Sequence, residues 1–154
     1  MLVIKSKQMI MTYLKINDWL NEVENIEFEN QNSEYEGCSF IYKDALYRAR
    51  MAKITPKKKG AFVAIWQKGK NGKNEPFSVS DSNERLLIGV REENQTGIFD
   101  FPVHILENKG LYKSSRFKGK MGFRLYPSWV DELNETAKKS QKWQNDYFTQ
   151  LSNE

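Results

Sequence analysis

One cysteine and one histidine set narrow limits on the side-chain chemistry of this 154-residue chain. Cys38 alone cannot build a disulfide framework or a thiolate metal cluster, and His104 alone excludes sites that need two histidines. A thiol enzyme requires a base beside the sulfur. Cys38 instead follows Glu36 and Gly37 at the start of an apolar run, so it reads as a small core residue and His104 as a surface or capping one. A metal-dependent nuclease often sets an acid on one strand and acid-any-Lys on the next. Lys53 ends a strand in that style, but Met51 holds the acid's position and cannot ligate a hard cation. Glu36, Asp44 and Lys53 are the local constellation that would serve a metal-dependent phosphodiesterase. Gly69-Lys70-Asn71-Gly72-Lys73 has glycines and lysines but not the GxxxxGK[ST] spacing of a phosphate loop. No catalytic residue, metal ligand or cofactor is assigned on these grounds, and the expected protein is not an enzyme.

The clearest functional signal is where the charge sits. Residues 47–73 carry nine bases (Arg48, Arg50, Lys53, Lys57, Lys58, Lys59, Lys68, Lys70 and Lys73) and no acid. Residues 109–124 carry Lys109, Lys113, Arg116, Lys118, Lys120 and Arg124, again without an acid. The chain's net charge is only +4, so the remaining segments are acidic. If the two stretches meet, they make a surface that attracts phosphates. Tyr42, Trp66, Tyr112 and Phe117 lie among or near them as candidate stacking rings. The plainer alternative is a solvated face with lysine-rich turns. Standard zinc-finger and RNA-recognition motifs are missing.

The elements that must position these residues follow from periodicity. Met9, Tyr13, Ile16, Trp19, Leu20 and Val23 share one helical face, which predicts an amphipathic helix over 8–24 with Trp19 as a core anchor. Residues 24–36 read as an acidic connector. Runs 38–43 and 46–54 predict a hairpin around Lys43-Asp44-Ala45. In its second strand Tyr47, Ala49 and Met51 point to the core, which places Arg48 and Arg50 on a solvent-facing cationic side. Thr55-Pro56 ends that strand, and 61–67 reads as a central strand. Residues 68–75 form the tip of a long hairpin and 76–83 a polar loop. Strands are predicted at 86–91 and 97–101. A short helix over 103–108 starts after Pro102 and ends before Gly110. A basic loop then leads to a strand at 123–126. A C-terminal helix carries Leu133, Ala137, Trp143, Tyr147, Phe148 and Leu151 on one side. The expectation is one α+β domain over 1–154, with a mostly antiparallel or mixed sheet packed by N- and C-terminal helices.

Several separated motifs resemble the MepB family in the same order. They are residues 34–40, the stretch RARMAKITPKKKGAFVAIW from Arg48 to Trp66, Pro76-Phe77 with Ser80-Asp81, residues 97–102, Lys109-Gly110-Leu111, and GFRLYPSW from Gly122 to Trp129. Ala137 and Gln141-Lys142-Trp143-Gln144 complete the pattern, which covers about residues 24–150. Asp100 departs from it by placing a charge inside an apolar strand. The resemblance implies a small cytoplasmic bacterial protein with no catalytic residues to transfer, and a structure likened to nucleic-acid-binding proteins.

The expected function is therefore non-enzymatic binding of DNA or RNA, favouring single strands or structured ends. The residues expected to meet the ligand are Arg48, Arg50, Lys53, Lys57, Lys58, Lys59, Trp66, Lys68, Lys70, Lys113, Arg116, Lys118, Lys120 and Arg124. A protein-interaction adaptor for a regulator or transport system is the alternative, motivated by the acidic 24–36 stretch beside a basic body. The start Met-Leu-Val-Ile-Lys turns polar at once, unlike a secretion signal, and no window approaches the ~20 apolar residues of a membrane span. A cytoplasmic protein without membrane insertion is expected.

Overall fold

A computed structural model describes residues 5–19, 22–28, 35–79 and 84–151. Helix α1 (Lys5–Ile16) buries Met9, Ile10, Tyr13 and Leu14. It stops short of the expected residue 24 because Asp18 takes a left-handed conformation, φ 60°, and the Trp19 amide bonds back to the Leu14 carbonyl at 2.8 Å. Short polar side chains tolerate that conformation, and the bond satisfies a carbonyl the helix end would leave open. Trp19 is still an anchor: its ring stacks on Tyr42 at 4.6 Å.

Part of the expected connector is a strand, β1 (Glu24–Phe28), antiparallel to β2 (Cys38–Tyr42). Residues 29–34 lie outside the described ones. The hairpin from β2 to β3 (Ala45–Met51) turns through Lys43 and Asp44, both at positive φ. That twist matches the flanking strands. The run 46–54 then breaks at Ala52, whose amide still bonds Gly89 in the first sheet. Lys53 and Ile54 form β4 in a second sheet. The run 61–67 breaks in the same way at Ile65, leaving β5 (Ala61–Ala64) and β6 (Trp66–Lys68). β7 (Asn74–Pro76) pairs with β6 as the expected hairpin.

β8 (Glu84–Glu92) and β9 (Gln95–Pro102) form the long central hairpin. β8 lies parallel to β3, so the sheet is mixed. Helix α2 (Val103–Asn108) and β10 (Gly122–Leu125) fall close to where periodicity placed them. Helix α3 (Glu135–Gln144) begins at Asn134, whose side chain accepts from the Ala137 amide. It does not reach Leu151: after a 3-10 turn, β11 (Phe148–Leu151) pairs antiparallel with β9. Gly97 permits this, since a Cβ there would overlap the Phe148 ring.

The first sheet runs β1-β2-β3-β8-β9-β11, and the second runs β10-β5-β4. α1 covers one face of the first sheet over Cys38, Phe40, Tyr47, Met51, Leu87 and Ile98. The second sheet with α2 and α3 covers the other face over Leu86, Ile88, Val90, Phe99 and Phe101. Three layers on a mixed, mainly antiparallel sheet make an α+β fold. Among the described residues, no helix is long and apolar enough to cross a membrane.

Candidate functional site

The two acid-free segments meet. β5 and β10 pair from Ala61↔Leu125 to Ala64↔Gly122, and the Ile65 amide extends the pairing to the Met121 carbonyl at 2.9 Å. Further on, Lys113 donates to the Phe77 carbonyl at 2.7 Å and Val79 to the Lys113 carbonyl at 2.8 Å. The 113–120 loop is thereby laid along the end of the β6–β7 ribbon. Gly119, φ 80°, makes the close approach, because a Cβ there would stand 2.8 Å from both the Pro76 Cβ and the Lys113 nitrogen. Ser114 shapes the loop by accepting from the Arg116 and Phe117 amides at 3.1 and 3.2 Å.

The cations on these segments divide sharply. Lys53, Lys57, Lys58, Lys68, Lys70, Lys73, Lys113, Arg116, Lys118 and Lys120 are exposed. Lys68 lies 5.7 Å from the centroid of half-buried Trp66, and Arg116 lies 5.1 Å from that of Phe117. Lys59 is exposed but engaged: its Nζ donates to the Asp131 carbonyl at 2.8 Å and stands 3.5 Å from Glu132. Arg124 donates to the Lys59 carbonyl at 3.2 Å, and its guanidinium is 6.0 Å from the Phe62 centroid. Lys53, Phe62 and Arg124 form one cross-strand row on the outer face of the second sheet.

Arg48 and Arg50 require a correction. The second layer crosses the face expected to meet solvent, and Arg50 is only 1% exposed. Its guanidinium donates to the Ala64 carbonyl at 2.5 Å and lies 5.1 Å from the Phe77 centroid. Arg48 is half-buried, 4.4 Å from the same ring and 4.0 Å from Glu84. Lys53, which strand alternation sets on the face of Tyr47, Ala49 and Met51, is instead exposed, 5.5 Å from the Tyr35 centroid. Tyr42 and Tyr112 are buried and offer no stacking face.

Sequence reasoning missed the hollow bounded by β10, α3 and the end of α2. It has two adjoining parts: Lys109 and Trp143 line both, Lys139 and Lys142 one, and Lys120 and Arg124 the other. The signal that could find it is helical spacing, since Thr136, Ser140 and Trp143 share a face of α3. Next to Trp143, the buried Gln144 side chain accepts from the Tyr126 amide and donates to the Arg124 carbonyl, both at 2.8 Å.

A buried polar cluster occupies the opposite face of the first sheet. Asp100 accepts from the Tyr13 hydroxyl at 2.8 Å and from Arg85 Nε at 2.6 Å. Strand β9 runs unbroken through this charge because Arg85 neutralises it and the Tyr13 hydroxyl donates to its other oxygen. Burial, then the Asp100 charge and hydrogen bond, push the Tyr13 hydroxyl far above the usual phenol range. Tyr47 moves the same way, chiefly by burial and then by Asp100. The cluster ties α1 to the sheet.

Within the phosphodiesterase constellation, Asp44 and Lys53 do not come together. Asp44 sits in the turn that opens β3, while Lys53 lies beyond its far end. Among the described residues, no three His, Cys, Asp or Glu side chains gather where they could hold a metal. Cys38 is buried on the α1 side of the sheet, and His104 is exposed on α2.

A family model described as MepB-like matches residues 29–150. A structure titled "Crystal Structure of MepB" superposes with a TM-score of 0.82 at 38% identity, covering 99% of this chain and 100% of that one. No functionally curated protein matches.

Proposed function

The chain belongs to the MepB-like family, and we propose that it binds nucleic acid without a chemical step, favouring single strands or structured ends. The observation that carries this reading is the side-by-side packing of the two acid-free segments. Their exposed lysines share the β6–β7 ribbon, the 113–120 loop and the outer side of the second sheet. Phosphate attraction to such a surface supplies affinity with little base information, and it weakens steeply with salt. Half-buried Trp66, with Lys68 near its ring, adds a stacking position. Fluorescence anisotropy with labelled single- and double-stranded DNA and RNA at two salt concentrations tests the reading. Binding at low salt that falls with added salt is expected; no binding to any of them overturns it.

A second reading, a protein-interaction adaptor, is favoured by β1. It ends the first sheet and presents exposed Glu24 and Glu27 beside Ile26 and Phe28, which are 53% and 49% exposed. A pull-down at native salt separates the two: nucleic acid without a stoichiometric protein removes the adaptor.

A further inference from the structure

We propose that the hollow between the end of α2, β10 and α3 is a subsite for one unpaired nucleotide, its base laid on Trp143 and its phosphate held by Lys109, Lys120 and Arg124. The inference rests on the nucleic-acid reading above and deepens it by naming a place and a form of ligand. It starts from the Trp143 ring. One side leans on Phe101, with centroids 5.4 Å apart, and the indole is only partly buried. Lys109 Nζ hangs 5.2 Å from the ring centroid. A flexible lysine that rests over an indole can swing aside to a phosphate and leave the ring to a base.

The space is adequate. Two adjoining hollows of about 570 and 310 Å³ share Lys109, Ser140 and Trp143. Small-molecule sites commonly fall in the range of about 300–1,000 Å³. The walls suit an anion: among the described residues, Asp146 is the only acid lining either hollow. The lining is already held in shape, because Gln144 pins α3 to the backbone of β10 and just beyond it. Little ordering cost then remains for the ligand to meet.

The form of nucleic acid follows from access. Trp143 is half-buried and lines both hollows, and an unpaired base has a free face to lay on its ring, whereas a base stacked and paired inside a duplex has none. Lys120 and Arg124 belong to the second acid-free segment. A strand tracking the lysines of the 113–120 loop therefore passes the mouth of the hollow. An acidic peptide is a poorer fit, since it would leave the indole face without a planar partner.

Anisotropy on the full chain at low salt tests the proposal, with a labelled oligothymidine strand and a blunt duplex of the same length as probes. The variants are Lys109→Glu with Lys139→Glu, Trp143→Leu, and the hairpin set Lys68→Ala, Lys70→Ala and Lys73→Ala. Both hollow variants should weaken the single strand by at least about five-fold more than the duplex. The hairpin set should weaken both probes by similar factors. Because Trp143 leans on Phe101, circular-dichroism melts accompany its variant, and the exposed lysine pair tests the hollow without touching the core. Equal losses on both probes, or no loss in the lysine pair, overturn the subsite while leaving the nucleic-acid reading intact. A wild-type protein that binds neither probe overturns that reading and the subsite with it.

Discussion

Arg50 and Lys70 stand in the same acid-free segment, yet one is sealed between two sheets and the other is exposed at a hairpin tip. Their side chains account for much of the difference. The guanidinium is planar and weakly hydrated, so it can lie by the Phe77 ring and donate to a carbonyl with its charge inside the protein. An ammonium is compact and strongly hydrated, and it stays in water unless paired. The topology supplies the rest: β3 runs parallel to β8, and the connection between them crosses the arginine side of the sheet. A run of like charges is thus not one surface. Part of it holds layers together, and part faces whatever the protein meets.

The sharpest way to break that contrast is at Arg50. Arg50→Ala should cost about 3 kcal/mol, because it opens a cavity and strips the Ala64 carbonyl of its donor. Urea unfolding reads the cost directly. Nucleic-acid affinity per folded molecule should stay near the wild-type value. A variant that melts like the wild type while losing affinity would return Arg50 to the binding surface and undo the comparison.

The other face of the sheet sharpens it with a second buried charge. Asp100→Ala should cost about 2 kcal/mol by leaving Arg85 and the Tyr13 hydroxyl without their acceptor. Tyr13→Phe should cost about 1 kcal/mol at neutral pH. The pH dependence has a definite sign. Folding raises the Tyr13 pKa, so its contribution is intact below the unfolded value, about 10, and is lost as pH climbs through the folded one. Above pH 10 this single group should steepen the wild-type decline by up to about 1.4 kcal/mol per pH unit relative to Tyr13→Phe. Parallel alkaline stability curves for the two proteins would show that Tyr13 is not held protonated by the fold.

Local signals served well where the chain's own neighbours decide the outcome. Pro102 and Gly110 bracket α2, and the Lys43-Asp44 turn follows from the apolar runs on either side. What escaped was set by distant partners. Asp100 looked like a fault in a strand because its partner Tyr13 lies 87 residues away. Phe148 to Leu151 fit a helical face as well as a strand, and only Gly97 on β9 settles the matter. β1 is short and its described side chains are all exposed, so its alternation carried little weight. In the candidate site, the exposed lysines were legible as charge, whereas the burial of Arg50 and the half-open face of Trp143 depended on which layer lies above them.

The smallest expected effect lies within the run Lys57-Lys58-Lys59. All three are exposed, but Lys59 Nζ stands 3.8 Å from Asp131 and 3.5 Å from Glu132, so two carboxylates already offset its charge. The pair geometry is open to solvent, and such bridges contribute about 0.2–1 kcal/mol, less in high salt. Lys59→Ala should therefore lower stability by no more than about 1 kcal/mol and leave nucleic-acid affinity almost unchanged. Lys57→Ala and Lys58→Ala should do the reverse, with unchanged melts and a salt slope shallower by roughly 0.7 for each single-strand phosphate that is no longer neutralised. The contrast within three adjacent residues repeats at the surface what Arg50 and Lys70 show across a layer: a cation already answered by the protein has little left to offer a phosphate. Equal slopes for all three variants would mean that Asp131 and Glu132 yield Lys59 to the ligand, and the division between structural and binding cations would then hold only in the core.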